Sequence, residues 1–386
     1  MKIVTCIAPV NIAVIKYWGK RDNELILPIN DSISSTLDAN QMCAKTTIMA
    51  SPNFLDNKLW LNGQEENFDQ PRLKNCLKEI KKRIYTDESK ENIVNWNIHI
   101  CSENNFPTAA GLASSAAGYA CLVFALAKLY NIEGDISGLA RRGSGSACRS
   151  IYGGWVKWCK GEAADGSDSL AVQLAPPSHW ADMRVIILVV NESRKKHSST
   201  NAMKTSMSTS TLLTTRAETI VPARISDMEA AIKAKDFAKF ADLTMRDSNQ
   251  FHAICLDTYP PCFYLNEVSR SIIEFVHEYN DFKESTQVAY TYDAGPNACL
   301  YTLENNVSEL LAVIDEVFPT NAAREEYIKG IPVKTIQLSQ DVRQKFSSLK
   351  NSRDLLKYII VTKVGEGPQM LSNTSEHLLN ENGLPK

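Results

Sequence analysis

Asn105-Phe-Pro-Thr-Ala-Ala-Gly-Leu-Ala-Ser-Ser-Ala-Ala-Gly118 is the stretch around which the rest of the chain is organised. Pro107 and Gly111 mark a turn, and the run from Ala113 through Tyr130 is strongly helix-forming. A helix entered from a loop of small residues offers unpaired N–H groups and the positive end of its dipole, which favours phosphate. Ser114 and Ser115 add two hydroxyls where a phosphate-bound Mg²⁺ can sit. No Gly-Lys-Ser/Thr follows, so this is not the Walker pattern. Small residues also serve close packing, and a buried Ala-rich helix on a sheet accounts equally well for the composition alone.

Upstream, Lys2–Ile15 alternates as a strand, and further strands are expected over 41–51, 58–63 (with an Asn62-Gly63 turn signal) and 95–101. The segment Lys16-Tyr17-Trp18-Gly19-Lys20-Arg21 places three cations and two aromatics around one glycine. That cluster suits an anion held against an apolar wall, although a solvated strand end with snorkelling lysines is the commoner use of a lone basic cluster. Residues 70–85 are expected as an amphipathic helix with Arg72 near its start. Downstream, Ser144-Gly145-Ser146-Ala147-Cys148-Arg149 is a second run of small residues and hydroxyls, ending in a guanidinium able to grip a carboxylate at two points. A helix cap with a structural arginine is the plain alternative. A hairpin is expected from 155–159 and 170–174, and a buried strand over 183–190.

Composition shifts near Asn191, which divides the chain into expected domains 1–190 and 191–386. A polar, basic loop ending at Thr200 leads into a Ser/Thr-rich helical stretch, followed by helices over 226–251 and 264–279. The strand 287–292 runs into Asp293-Ala-Gly-Pro-Asn297. An aspartate there projects well into a cleft, and it is also a common turn residue. The tail from Gly365 is expected to be irregular.

A chain of 386 residues with net charge −2 has room for two domains and no overall field drawing it to nucleic acid or membrane. Its ten cysteines form no Cys-x-x-Cys pair, which favours reduced thiols. The first residues are interrupted by Pro9 and Asn11 and show no cleavage pattern, so a cytoplasmic protein is expected. The six histidines lack metal-ligand spacing, and neither a dinucleotide fingerprint nor a Gly-x-Ser-x-Gly elbow is present.

Ala8–Ala13, Lys16–Arg21, Pro107–Gly118, Arg141–Ser150, Asp247–His252 and Tyr292–Asn297 together closely resemble the mevalonate diphosphate decarboxylase family of the GHMP kinase superfamily. The segment Pro107–Ser115 would indicate only the superfamily. Lys16–Lys20 and Gly143–Arg149 are specific to the decarboxylase, and Gly365–Pro368 looks like the eukaryotic form. The resemblance implies a two-domain α/β (α+β) fold, with an N-terminal nucleotide-binding domain, a ferredoxin-like C-terminal domain and the active site between them. It also implies a homodimer and ATP-dependent decarboxylation of mevalonate 5-diphosphate, with Mg²⁺, through a 3-phosphorylated intermediate.

Carried over by position, Asp293 is the catalytic aspartate, Lys16 neutralises charge near the reacting hydroxyl, Asn11 fixes it by a hydrogen bond, and Arg149 orients the carboxylate. Tyr17, Trp18, Gly19, Lys20, Arg72 and Ser144–Cys148 hold the substrate, with Thr200 as a further contact. Pro107, Ala110, Gly111, Leu112, Ala113, Ser114 and Ser115 meet the ATP phosphates, Ser115 being favoured for the metal. Asp31 departs from the family's usual serine and is expected to face solvent. Two alternatives stay open: a GHMP kinase that stops after phosphorylation or uses the monophosphate, and a non-catalytic binding protein on the same fold.

Overall fold

The computed structural model describes residues 1–84, 91–106, 114–190 and 198–386. The alternating start of the chain forms two strands rather than one, Lys2–Pro9 and Asn11–Ile15. Pro9 has no N–H to continue a ladder, and the chain passes there from a six-stranded sheet to a four-stranded one.

In the six-stranded sheet the order is Gln369–Leu371, Lys2–Pro9, Cys43–Ser51, Asn97–Asn104, Lys58–Leu61 and Gln64–Glu66. The helix Ser114–Tyr130 lies against it, with Ala117, Ala120, Cys121 and Leu126 fully buried. The helix is apolar on nearly every side, as a helix covered all round must be. The four-stranded sheet runs Ala171–Ala175, Trp155–Trp158, Ser32–Thr36 and Asn11–Ile15, and its first two strands are the expected hairpin.

A five-stranded sheet, ordered Val288–Tyr292, Ala298–Leu303, Met183–Val189, Tyr358–Lys363 and Ile328–Gly330, is built mostly from the second half of the chain. Helices Val221–Ala234, Phe237–Asp257 and Glu267–Phe282 accompany it. The single helix expected over 226–251 is therefore two. Lys235 takes a left-handed conformation at φ 56°, and the Asp236 side chain accepts the Lys239 N–H at 3.0 Å. Propensity favours helix throughout Ala231-Ile-Lys-Ala-Lys235, and only the capping aspartate marks the break.

The largest correction concerns the tail. Gln369–Leu371 pairs antiparallel with Lys2–Pro9 and completes that sheet's edge. Beyond it Leu379, 2% exposed, packs with Met49, Trp60 and Cys101, and the Thr47 hydroxyl accepts the Leu378 N–H at 2.9 Å. Gly153 makes this path possible, because a Cβ there would lie 2.6 Å from the Gly367 nitrogen. A three-residue strand carries too little periodicity to be recognised beforehand.

Replacing Leu379 by alanine should cost about 2–4 kcal/mol, the usual range for emptying a buried leucine site. Urea unfolding monitored by tryptophan fluorescence measures it, and an unshifted midpoint would mean that the tail is not packed in solution.

Candidate active site

Segments remote in sequence line one cleft: Asn11 and the turn after its strand, Arg72 of the helix Pro71–Ile84, the first turn of Ser114–Tyr130, the Ser144–Arg149 segment, Thr200, and Asp293. At its base the Lys16 ammonium donates to Asp293 Oδ1 at 2.7 Å, with the lysine 3% and the aspartate 28% exposed. Asp293 directly follows the strand Val288–Tyr292, and Gly295 N–H returns to the Asp293 carbonyl at 2.8 Å, so the carboxylate sits on a tight turn at a strand end.

Arg149 is buried and spends two donors on Ser34 Oγ (3.0 Å) and Ser32 Oγ (2.6 Å). The remaining N–H groups of its five-donor fork are left for an anion in the cleft. Burial holds its pKa below the usual guanidinium value, while Asp293 acts in the opposite direction. Lys20 is also buried, and its pKa is lowered first by that burial and then by Arg72. Arg72 donates to Thr200 Oγ1 at 2.8 Å. Lys16, Lys20, Arg72 and Arg149 thus face the cleft with Asp293 as their counter-charge, an arrangement suited to a polyanion.

One wall is aromatic. The Tyr17 ring meets Trp158 edge-on at 4.7 Å. A Cβ on Gly145 would come within 2.9 Å of Trp158 and 3.0 Å of Tyr17, so the closing of this wall on the turn requires glycine. The Tyr17 hydroxyl is buried without a partner among the described residues. Burial raises its pKa, which keeps the phenol neutral and able to donate. Asn11 donates to the Ser146 carbonyl (3.0 Å) and to Ser150 Oγ (2.7 Å), tying the first strand to the glycine-serine segment. Ser115 Oγ lies 3.3 Å from Ser144 Oγ and links that segment to the helix start.

Not every expected contact faces the cleft. Trp18 lines it, but its indole N–H is taken by Ser206 Oγ at 2.9 Å and its ring packs on Phe251. Ala147 and Cys148 are fully buried behind the wall, the Ala147 N–H bonding to the Ser144 carbonyl and the Cys148 thiol to the Gly145 carbonyl. Gly19 turns away toward Ile29 and Met207, with φ at 100°. Pro107, Ala110, Gly111, Leu112 and Ala113 lie outside the described residues, as do residues 191–197 of the basic loop.

Ser199, Met203, Phe251 and Ala294 also line the cleft and were not singled out by sequence. A second cavity shares Ser114 and Ser115 with the first, bounded by apolar Leu59, Leu61 and Leu73 and polar Asn62, Gln70 and Ser102. In sequence Asn62 signals only a turn, and nothing local reveals that it borders a cavity.

Two family models cover most of the chain: the diphosphomevalonate decarboxylase-like N-terminal domain matches residues 8–171, and the mevalonate 5-diphosphate decarboxylase C-terminal domain matches residues 185–371. The chain is 51% identical to the diphosphomevalonate decarboxylase of Danio rerio, over 100% of this chain and 97% of that protein. The chain belongs to the diphosphomevalonate decarboxylase family. The solved decarboxylase from Trypanosoma brucei superposes with a TM-score of 0.92 at 38% identity, covering 98% of this chain and 100% of the other. A further structure, MDDEF in complex with MVAPP, AMPPCP and magnesium, matches with a TM-score of 0.74 at 28% identity, covering 96% and 100%. The fold is accordingly the two-domain GHMP kinase type expected of a decarboxylase.

Against that family Asp31 is the departure, and it does not simply face solvent. Its carboxylate accepts the Lys160 N–H at 2.7 Å and lies 3.5 Å from Lys157 Nζ, which also pairs with Glu229 at 2.9 Å. These groups border a separate groove.

His252, behind Phe251, is 7% exposed, and its Nε2 has no partner among the described residues. Burial and then the Lys16 charge push its pKa down to about 3. Between the unfolded value near 6.5 and that folded value, the unfolded chain binds a proton that the native state refuses, so stability falls as pH drops through this window. Urea unfolding at pH 7.5 and 5.5 should show the native chain losing about 1.3 kcal/mol more than His252→Gln does. Equal losses would mean that the imidazole is not held neutral.

Proposed function

We propose that the protein catalyses ATP-dependent decarboxylation of mevalonate 5-diphosphate to isopentenyl diphosphate, releasing ADP, phosphate and CO₂, in the mevalonate pathway of isoprenoid and sterol biosynthesis. The observation that carries this reading is the Lys16–Asp293 pair at the base of a cleft whose walls supply Arg149, Lys20, Arg72 and Ser115. The substrate has a diphosphate at one end, a carboxylate near the other and a tertiary hydroxyl between. Lys20, Arg72, the unpartnered Tyr17 hydroxyl and the Ser144–Ser146 turn suit the diphosphate, and Arg149 suits the carboxylate.

The neighbouring cavity suits adenosine, apolar on one side and edged by amides. The hydroxyls of Ser114 and Ser115 at a helix N-terminus fit such phosphates, with Ser115 the oxygen favoured for Mg²⁺. When bound, ATP with Mg²⁺ supplies the phosphoryl group that makes the tertiary oxygen a good leaving group.

The chain's own work is positioning and charge. Asp293 receives the hydroxyl proton, Lys16 offsets negative charge on the reacting oxygens, and Arg149 keeps the carboxylate aligned while phosphate departs and the carbon–carbon bond breaks to CO₂ and the alkene. The same reading divides the chain at 190/191 and extends to a cytoplasmic homodimer. All ten cysteines are free, which suits a reducing compartment, and no described helix is long and apolar enough to cross a membrane.

An ADP-release assay coupled to CO₂ capture, run with mevalonate 5-phosphate and 5-diphosphate side by side, should give ADP, phosphate and CO₂ together from the diphosphate alone. ADP without CO₂ would point to a kinase. Asp293→Ala should lower kcat by roughly 10²- to 10⁴-fold, the scale of losing a positioned base; near-native turnover would remove Asp293 from the assigned role. Arg149→Lys should sharply reduce kcat/KM, because an ammonium cannot reproduce a planar two-point grip; an unchanged value would refute the carboxylate contact.

A further inference from the structure

Lys16 stands just past the end of the strand Asn11–Ile15, where its peptide has no ladder partner. Both of its backbone groups are instead taken by side chains. The Lys16 N–H donates to Asp247 Oδ2 at 2.7 Å, and the Lys16 carbonyl accepts from Arg216 Nη2 at 3.0 Å and from Asn30 Nδ2 at 3.1 Å. Arg216 and Asp247 are both 0% exposed and joined at two points, Nη1 to Oδ1 at 2.7 Å and Nη2 to Oδ2 at 2.9 Å. Arg224 donates to Asp247 Oδ1 at 2.9 Å without touching Lys16, and Gln250 Oε1 accepts from both arginines at 2.9 and 2.8 Å. None of these side chains lines the cleft.

Stability is a poor reason for such a cluster. A buried ion pair gains little over an apolar replacement of the same volume, because desolvation offsets the attraction. What this pair does provide is geometry. Asp247 and Arg216 meet the two peptide groups that flank Lys16 Cα and hold them with one rigid two-point bridge. A lysine side chain has a flexible four-carbon stem. With its Cα fixed, the stem has to span only one short path to Asp293 Oδ1.

We propose that Asp247 and Arg216 are positioning residues that clamp the Lys16 peptide and thereby set the Lys16–Asp293 pair for phosphoryl transfer, an inference that rests on the function proposed above. The helical part of the chain, 200 residues away in sequence for Arg216 and 231 for Asp247, then dictates the geometry at the base of the cleft. Arg216 opens a π-helical turn, Arg216–Ile220, a wider winding of the kind found at functional positions.

Two readouts test this, one of them independent of turnover. Lys16 acetylation by a water-soluble amine reagent, followed by mass spectrometry, should be slow in the native chain and about tenfold faster in Asp247→Asn, while Arg224→Gln stays native-like. In steady-state assays Asp247→Asn should lower kcat by about 10²-fold, the scale of a 1 Å misplacement, with KM for mevalonate 5-diphosphate within about threefold. In a Lys16→Met background the same change should cost less than about twofold, since its effect passes through the lysine. A loss that multiplies fully onto Lys16→Met, or native labelling and native kcat in a folded Asp247→Asn, would overturn the clamp. Should that variant not fold, Asn30→Ala, which removes one bond to the Lys16 carbonyl, should raise labelling and lower kcat in the same direction; no change in either would overturn the proposal. If the native chain turns over no mevalonate derivative, the function is wrong, and the labelling comparison still decides whether the clamp exists.

Discussion

A lysine ammonium 3% exposed to solvent cannot stand alone, and the carboxylate that meets it at 2.7 Å comes from 277 residues further along the chain. Much of the architecture follows from that requirement. The first strand of the four-stranded sheet must end where the last turn of the Val288–Tyr292 strand begins, so the two halves of the chain must pack against each other. Further bonds hold them there: Tyr301 Oη lies 2.7 Å from Ser35 Oγ, and Asp247 reaches the Lys16 N–H. The pair is also the natural place for proton transfer, because an acid and a cation held in contact at the base of an electropositive cleft can act on one oxygen together.

The surrounding charges divide the work. Four cations against one carboxylate make a site that favours an anion with charge at both ends. The buried hydroxyl of Tyr17, without a partner among the described residues, and Lys20, its pKa lowered by burial and then by Arg72, would both be relieved by a polyphosphate oxygen. Arg149 is set more rigidly than the lysines, since Ser32 and Ser34 hold its fork and Trp158 lies beneath it at 5.9 Å. Rigidity at that position suits a carboxylate that must stay aligned while the adjacent bond breaks. Asp31, the family's unexpected residue, leaves this balance alone because its carboxylate lies in a separate groove, held by the Lys160 N–H and facing Lys157.

Local sequence made the chemistry-bearing segments visible. The Ala/Ser helix start, the Lys-Tyr-Trp-Gly-Lys turn, the glycine-serine run ending in Arg149 and the aspartate at a strand end each admit a structural use on composition alone and point to one site only through the family resemblance they carry together, while the strands and hairpin around them follow from period-2 alternation and turn residues. The break between Ala234 and Phe237 and the order in the tail were not visible, since one depends on a single capping aspartate and the other on three-residue pairing with an edge already built by the rest of the chain. Ala147, Cys148 and Gly19 belong to the right segments but face away from the cleft, because a motif gives neighbourhood and only backbone geometry gives direction.

The sequence by itself determined the family, the reaction class and the groups that carry charge, because these depend on residue types in short runs. Which residues touch, which merely support, and how Lys16 is held were decided only by the tertiary structure. Asp247 stands in one of the segments that carry the resemblance, yet neither that run nor the surroundings of Arg216 and Asn30 assign them a role, and they acquire it only when folding brings the three side chains to the two peptide groups flanking one Cα.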